Sequence, residues 1–313
     1  MTNRKKYSST PSPAARITQE IIARLEAGTK PWIKPWRGIP VSRPLRACGI
    51  PYRGMNVFWL WMVADMCGYV SPFWMTYNQA KAFGGQVRKG ETSTIAIFYK
   101  SYTREVEVPE SGERTDEARR VLKAYSVFNA DQVEGLPERF HPAASLGLVE
   151  PEGRAVELDA FFAAIPVHLR HQGDEAYYEP TPDRVTMPPP TLFAGFDHYY
   201  ATLAHELSHW TGHASRLGRD LKHRFGTEAY AAEELIAELS SAMLGAELGL
   251  PVTHLDSHAS YIDHWLKLLK DDERAILTAA AKAEEASALI LQLGGRSLAS
   301  DPNHASAADS LAA

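Results

Sequence analysis

Residues 196–210 read FDHYYATLAHELSHW and contain an HExxH sequence that begins at His205 and ends at His209. The spacing of apolar residues predicts a helix over 197–212. Residues four apart project from one face of a helix, so the two imidazoles can share one tetrahedral metal ion. Glu206 lies one step round the helix, where its carboxylate can act as a general base on water instead of as a ligand. The alternative is an amphipathic helix that carries two surface histidines.

A third ligand is expected downstream, because catalytic zinc sites usually have three protein ligands. A second helix is predicted over 228–249, and Glu234 in it follows His209 by 25 residues, enough for the chain to turn back. Glu238 lies one turn further along the same face. We predict that Glu234 is the ligand and that Glu238 accepts the second N–H of a ligating histidine. The reverse assignment stays open, as does a solvent-exposed position for either glutamate.

Length and composition indicate a globular chain of two domains. The sequence has 313 residues, of which 45% are hydrophobic and 23% charged. Its longest apolar stretch, 57–67, is interrupted by Asp65 and is too short to span a membrane. The N-terminal residues are basic, but the apolar run that an export signal requires does not follow them. The two cysteines are too few for a disulfide framework or for a zinc site built from cysteines. We therefore expect a cytoplasmic protein without membrane contact.

Positive charge is concentrated in the first part of the chain. Residues 1–100 contain 15 Lys and Arg against 4 Asp and Glu, whereas the remainder contains 18 against 34, for a net charge of −5. Such polarity predicts that the first part binds a polyanion while the second does not. Chance clustering of surface lysines is the alternative.

Aromatic residues are interleaved with these cations. Five of the seven tryptophans lie within residues 1–74, and the segment 29–45 reads TKPWIKPWRGIPVSRPL. Non-specific binders of single strands stack bases on aromatic rings while cations follow the phosphates. The alternative is a solvated basic surface with tryptophans in the core. The residues that we predict to contact single-stranded nucleic acid are Lys34, Trp36, Arg37, Tyr52, Arg53, Asn56, Trp74, Tyr77, Arg88 and Lys89.

The order of predicted elements indicates an α+β fold in two domains. Helices are predicted from residue 13, over 55–66 and over 76–83, and strands over 93–102 and 123–129, with a charged loop over 109–120 between them. Small and polar residues mark 141–155 as a linker. The domains are then a small α+β domain over 1–140 and a mainly helical domain over 156–295, followed by a tail over 296–313 that we expect to be disordered.

Five segments together resemble the ArdC-type antirestriction proteins of conjugative plasmids. The first, PYRGMN, covers 51–56, and the others cover 72–91, 127–137, 199–220 and 230–249. The first three are similar to the single-stranded-DNA-binding domain that is shared with TraC-type plasmid primases. The last two are similar to the zincin-like metallopeptidase domain of mobile-element proteins.

This resemblance implies a protein that shields incoming plasmid DNA from host restriction. It implies His205 and His209 as metal ligands, Glu206 as the catalytic carboxylate and a downstream glutamate as a further ligand. Zn²⁺ is the expected cofactor and Mn²⁺ the alternative; single-stranded DNA is the expected partner, and a host restriction-related protein is the candidate peptidase substrate. Two alternatives stay open: a pure single-strand-binding protein with a structural or vestigial metal site, and an accessory factor for plasmid DNA priming.

Overall fold

The structure is a computed structural model that describes residues 11–28, 42–107, 114–141, 153–219, 228–250 and 261–296. Its α+β architecture confirms the predicted fold class. Most of the predicted linker and all but the first residue of the predicted tail lie outside the described residues. Within the described residues, no helix combines the length and the apolar character that a membrane span requires.

In its described residues, the N-terminal part combines three α-helices with short strands and one long hairpin. Ser12 begins the first helix by accepting a hydrogen bond from the Ala15 N–H at 3.0 Å, and Pro13 occupies the first turn. The elements are α1 (Pro13–Glu26), β1 (Leu45–Arg46), α2 (Met55–Cys67), β2 (Phe73–Met75), α3 (Tyr77–Ala82), β3 (Gln86–Val87), β4 (Thr94–Glu107), β5 (Arg114–Asn129) and β6 (Val133–Glu134).

Strands β1, β2, β5 and β4 form a sheet in that order, in which β1 and β2 are parallel and the other pairs antiparallel. The hairpin strands are longer than predicted: Glu107 pairs with Arg114, so strand structure covers most of the segment that was expected to be a loop. A loop was predicted because residues 109–120 are mostly charged and polar. A two-stranded ribbon can expose both of its faces to water, so charged residues are compatible with strands here.

The C-terminal part is mainly helical, with a small mixed sheet in the order β7, β9, β8. In this sheet β9 pairs with β7 in parallel and with β8 in antiparallel orientation, which leaves β8 at an edge of the described sheet. The elements are α4 (Arg154–Ala163), β7 (His168–His171), β8 (Tyr177–Glu179), β9 (Arg184–Met187), α5 (Phe196–Trp210), α6 (Glu228–Leu248), α7 (Ile262–Asp271) and α8 (Ala275–Leu293).

The first two helices pack into the core of the C-terminal part. Ile17 and Ile21 of α1 and Phe58 of α2 share one cluster of buried side chains with Leu239 of α6 and Trp265 of α7. Helix α1 packs on α7 and α2 packs on α8, and α6 contributes side chains to the same cluster. Burial of this shared apolar surface stabilises both parts at once.

A buried arginine links the two parts. Arg43 is 3% exposed, and its Nη1 donates to both carboxylate oxygens of Glu284 on α8 at 2.9 and 2.8 Å. Its Nε lies 2.8 Å from Oε1 of Glu247 on α6. The Glu284 carboxylate also accepts a hydrogen bond from the Gly54 N–H at the start of α2. The Arg43 guanidinium thus binds α6 and α8 of the C-terminal part, and the carboxylate that it binds on α8 also contacts the start of α2.

Substitution of Arg43 tests this link. We expect Arg43→Met to lower the free energy of unfolding by about 3 kcal/mol, because it leaves two largely buried carboxylates without their cation. Urea denaturation followed by tryptophan fluorescence measures the change.

Lys282→Met on α8 is the matched control, because it removes an ion pair with Glu285 whose side chains are 43% and 47% exposed. We expect it to change the free energy of unfolding by less than about 1 kcal/mol. Equal effects of the two substitutions would show that Arg43 does not hold the parts together.

Candidate metal centre

Helix α5 carries the two histidines of the HExxH sequence on one buried face. His205 is 4% exposed, and its Nε2 lies 3.3 Å from Nε2 of His209. Leu203, Leu207 and Trp210 on the same helix are buried in the apolar cluster of the C-terminal part. This packing fixes the rotation of α5, so that both imidazole edges point to the same place.

Helix α6 brings Glu234 to that place. Its Oε2 lies 3.7 Å from Nε2 of His205, and its Oε1 lies 3.6 Å from Nε2 of His209. One ligand atom from each of the three side chains lies within 4.8 Å of the other two. Two imidazole nitrogens and one carboxylate oxygen are a donor set that zinc and neighbouring divalent ions accept.

The site opens into a cleft of about 340 Å³. Glu206 lines this cleft beside both histidines and is 7% exposed. Across the cleft lie Tyr177 and Tyr178 of the edge strand β8. A carboxylate is therefore placed beside the three donors, in a space large enough for part of a substrate chain.

Glu233 is a site residue that was not predicted. Its Oε1 lies 3.3 Å from Nδ1 of His209, on the side of the ring opposite the three-donor cluster. It also forms an ion pair with Arg219, which follows α5, at 2.8 Å. The spacing of α6 could have indicated Glu233 as a neighbour of Glu234, but only the packing of α6 on α5 brings it to His209.

Opposite charges in this cluster shift the pKa values of both partners. Burial acts to lower the pKa of His209, but the carboxylates of Glu234, Glu233 and Glu206 outweigh burial and raise it to about 9. Burial acts to raise the pKa of Glu234, and the His209 and His205 imidazoles outweigh it and lower that pKa to about 2. A metal ion binds the neutral imidazole, so His209 must release a proton when a metal ion binds.

Two tyrosines complete the cleft wall. The Tyr261 hydroxyl donates to the Tyr230 hydroxyl at 3.3 Å, and both side chains line the cleft. Burial and the neighbouring Tyr261 hydroxyl raise the pKa of Tyr230, and a hydrogen bond with Glu234 adds to this effect. Tyr230 therefore keeps its proton and can donate a hydrogen bond.

Glu238 lies one turn beyond Glu234 on α6 and is completely buried. The carboxylate beside the Nδ1 of His209 belongs to Glu233. A supporting role for Glu238 at the metal centre stays a prediction, and the three-donor cluster favours Glu234 over Glu238 as the ligand.

Two of the rings predicted to stack on nucleic acid are core residues. Tyr52 is 2% exposed and Trp74 is 1% exposed, and both pack with Leu60 and Val127 in one buried cluster. A base cannot stack on a ring whose faces are covered, so the prediction was wrong for both residues. Composition alone cannot distinguish an exposed ring from one that fills the core.

Asn56 is also used by the fold. Its amide donates to the Ile97 carbonyl at 2.7 Å and accepts from the Ile97 N–H at 2.9 Å, which joins α2 to β4. Asn56 is half-buried, and its predicted role in nucleic-acid contact stays a prediction.

The remaining predicted contacts divide into accessible residues and residues that the structure does not describe. Arg53 is half-buried, and Tyr77, Arg88 and Lys89 are exposed. Lys34, Trp36 and Arg37 lie outside the described residues. All seven stay predictions.

Two family models match the chain. Residues 12–128 match the N-terminal domain of the anti-restriction factor ArdC, and residues 156–282 match the zincin-like metallopeptidase family. The uncharacterized protein y4eC of Sinorhizobium fredii is 41% identical over 277 residues, which cover 86% of this chain and 88% of that protein. DNA primase TraC of Escherichia coli is 40% identical over 293 residues, which cover 88% of this chain and 27% of the primase.

Crystal structures of the antirestriction protein ArdC from plasmid R388 are similar to this chain. The metal-free structure has a TM-score of 0.77 and 44% sequence identity, and it matches over 91% of this chain and 98% of that chain. The Mn(II)-bound structure has a TM-score of 0.74 and 43% identity over the same shares of both chains.

Metal binding distinguishes the two candidate glutamates. We expect the unmodified protein to bind one divalent ion per chain and Glu234→Gln to lose it, because the substitution removes the carboxylate donor of the cluster. Elemental analysis after gel filtration, together with calorimetric titration with Zn²⁺, measures the stoichiometry and the affinity.

Glu238→Gln is the control, one turn along the same helix. We expect this variant to keep one ion per chain. Its affinity for the ion should fall by at most about 10- to 100-fold, which is the usual effect of removing a group that supports a ligand. Loss of the ion from Glu238→Gln with retention by Glu234→Gln would reverse the assignment.

Proposed function

Because this chain belongs to the ArdC family of antirestriction proteins, we propose that it protects incoming plasmid DNA from restriction by binding single strands and by acting as a metal-dependent peptidase. The two family matches cover both parts of the chain, and ArdC of plasmid R388 matches it over nearly the whole of both chains. The resemblance that the motifs indicated is therefore confirmed at the level of the family. Protection would come from covering the DNA, from cleaving a host restriction-related protein, or from both.

The observation that carries the peptidase proposal is the convergence of His205, His209 and Glu234 beside the Glu206 carboxylate. Its donor chemistry fits a divalent ion, and the zincin-like match and the Mn(II)-bound relative support one. Zn²⁺ suits two imidazoles and a carboxylate, and Mn²⁺ is the alternative. A bound ion would act as a Lewis acid toward a peptide carbonyl oxygen.

In the proposed reaction, Glu206 transfers a proton twice. Its carboxylate takes a proton from a water molecule in the cleft as the water oxygen attacks the peptide carbonyl carbon. As the carbon–nitrogen bond breaks, Glu206 gives that proton to the leaving amine nitrogen. The Tyr230 hydroxyl, which keeps its proton, would turn its hydrogen bond from Glu234 to the carbonyl oxygen as negative charge develops there.

The edge strand β8 supports a peptide as the substrate class. It lies at the edge of the described sheet, and Tyr177 and Tyr178 of this strand line the cleft. A strand edge offers backbone N–H and C=O groups that an extended peptide can pair with. Such pairing would lay the peptide along the cleft beside Glu206.

An exposed basic surface supports the single-strand proposal. We define the α3–β3 surface as Tyr77, Lys81, Arg88, Lys89 and Arg139. Tyr77 is 43% exposed, and its hydroxyl accepts a hydrogen bond from the Gln86 side chain at 3.3 Å. The Arg139 guanidinium lies over the Phe83 ring at 5.1 Å, next to the end of α3. An exposed ring near cations suits stacked bases and phosphates, and Arg88 would exchange its ion pair with Glu91, at 2.7 Å, for a phosphate.

A second candidate is a single-strand-binding protein whose metal ion is structural. The match to TraC favours it, because both parts of this chain together correspond to 27% of a primase. In the primase, the matched region is joined to further sequence that this match does not cover. Priming and protection from restriction would both require binding of single strands.

Substitution of Glu206 separates the two candidates. We expect Glu206→Gln to lower peptide cleavage at least about 100-fold, because the amide cannot accept the proton from water. Cleavage of a proteome-derived peptide library, read by mass spectrometry, measures it. Zn²⁺ stoichiometry and single-strand affinity should stay unchanged; equal cleavage by both proteins would remove Glu206 from the mechanism. Absence of cleavage by the unmodified, metal-loaded protein would favour the second candidate.

Salt dependence tests the α3–β3 surface. Loss of two phosphate contacts in Arg88→Ala/Lys89→Ala should reduce the slope of log affinity against log salt by about 1.4, since each contact to a single strand contributes about 0.7. Tyr77→Ala should weaken binding by about 1 kcal/mol or more with an unchanged slope, because a stacking ring carries no charge.

Fluorescence anisotropy with a labelled single-stranded oligonucleotide measures both effects in the full chain, with Lys282→Ala as the control, an exposed lysine on α8 of the C-terminal part. An equal change of slope in the control would show that binding depends on overall charge rather than on this surface.

A further inference from the structure

Arg219 lies beside the candidate metal centre, where it forms an ion pair with Glu233 of the cleft wall. It follows α5 in the chain, and its side chain is 7% exposed. Burial of a guanidinium is costly unless its donors are used. Here they are used: Nε donates to Glu233 Oε2 at 3.0 Å, Nη2 donates to Glu233 Oε1 at 2.8 Å and to the Ser208 carbonyl at 2.6 Å, and Nη1 donates to Thr211 Oγ1 at 2.9 Å.

The two hydrogen bonds to Glu233 form a bidentate pair, which fixes the plane of the carboxylate as well as its position. The Oε1 held in this way lies 3.3 Å from Nδ1 of His209. Glu233 itself is 8% exposed, so little water competes for its oxygens. The anchors at Ser208 and Thr211 belong to the end of α5, the helix that carries His209. Arg219 therefore ties the carboxylate from α6 to the same helix as the histidine that it contacts.

An imidazole that binds a metal ion through Nε2 must carry its proton on Nδ1. A carboxylate at Nδ1 holds that proton in place and fixes the rotation of the ring, which makes the lone pair of Nε2 available in one direction. The Nε2 of His209 faces Glu234 and His205, with Glu233 on the opposite side of the ring. Glu233 is therefore placed to hold the Nδ1 proton of His209 while Nε2 faces the proposed metal position.

We propose that Arg219 and Glu233 form a positioning pair that fixes the tautomer and the orientation of His209 and thereby sets the affinity of the metal centre. This inference rests on the proposed metal site. Arg219 acts through Glu233, since its hydrogen bonds go to Glu233, Ser208 and Thr211 and not to the side chains of the three proposed ligands. Neither residue was singled out from the sequence, where the predicted supporting carboxylate was Glu238.

The neighbouring Arg216 supplies a matched control. It lies three residues before Arg219 and also donates to a backbone carbonyl of α5, that of Trp210, at 2.7 Å. Its other end, however, binds Asp183 at the turn between β8 and β9. Removal of Arg216 disturbs the same segment without removing support from Glu233.

The test is Zn²⁺ affinity of the full chain, measured by competition with a chromophoric chelator. We expect Glu233→Gln and Arg219→Met each to weaken Zn²⁺ binding by about 10- to 100-fold. The double variant should bind no more weakly than Glu233→Gln alone, because Arg219 acts through Glu233. Arg216→Met should stay within about twofold of the unmodified protein.

A spectroscopic measurement separates positioning from general support of the fold. The visible absorption of the Co²⁺-substituted protein should change in Glu233→Gln, which is nearly isosteric, and stay unchanged in Arg216→Met, whatever the melting temperatures of the metal-free proteins. If Arg219→Met does not fold, Glu233→Gln still decides the matter, since unchanged Zn²⁺ affinity and an unchanged spectrum overturn the proposal.

If the double variant binds Zn²⁺ more weakly than Glu233→Gln alone, by the product of the two single losses, then Arg219 does not act through Glu233. Failure of the unmodified protein to bind Zn²⁺ or Co²⁺ would refute the metal site itself, and with it the proposed peptidase.

Discussion

A cluster of buried carboxyl groups between α5 and α6 is the constraint on which the C-terminal part depends. Glu206, Glu233, Glu234 and Glu238 are all buried there. Buried carboxylates are costly unless cations and hydrogen-bond donors compensate them. Arg219 compensates Glu233, and the histidines face Glu234. A divalent cation held by His205, His209 and Glu234 would add compensation where the carboxylates are most crowded.

The same helix couples this centre to the N-terminal part. Helix α6 presents Glu234 to the histidines near its start, contributes Leu239 and Met243 to the buried cluster that also contains residues of α1 and α2, and pairs Glu247 with Arg43 near its end. A single element therefore contributes to the metal centre, to the shared core and to the ion pair with Arg43. The proposed DNA-binding surface and the proposed peptidase consequently belong to parts that stabilise each other, although the family models match them as separate segments.

Local sequence predicts the helices of this protein well because their signals are local. The HExxH spacing requires only that residues 205 and 209 share a helix, and Pro13, Gly68 and the capping residue Thr76 mark helix ends where the structure has them. The placement of Glu234 could be predicted from the same spacing argument and from the number of ligands that zinc sites use.

What the sequence could not provide depends on contacts between distant segments. Glu233 becomes a partner of His209 through the packing of α6 on α5, and Arg219 joins them from a loop that carries no periodic pattern. Tyr52 precedes Arg53 and Trp74 belongs to the cation-rich first 100 residues, but both rings lie inside the core, because burial depends on the fold and not on the charge of chain neighbours. The packing of α1 on α7 and of α2 on α8 likewise joins segments that are far apart in the chain, which local patterns do not predict.

The most direct measurement of the central claim is X-ray absorption at the zinc edge for the full chain loaded with one equivalent of Zn²⁺. The expected spectrum has nitrogen and oxygen neighbours at about 2.0 to 2.2 Å and the outer scattering of two imidazole rings, reduced to one ring in His209→Ala. Sulfur scattering at about 2.3 Å, or a hydrated ion with no imidazole scattering, would contradict a centre built from α5 and α6.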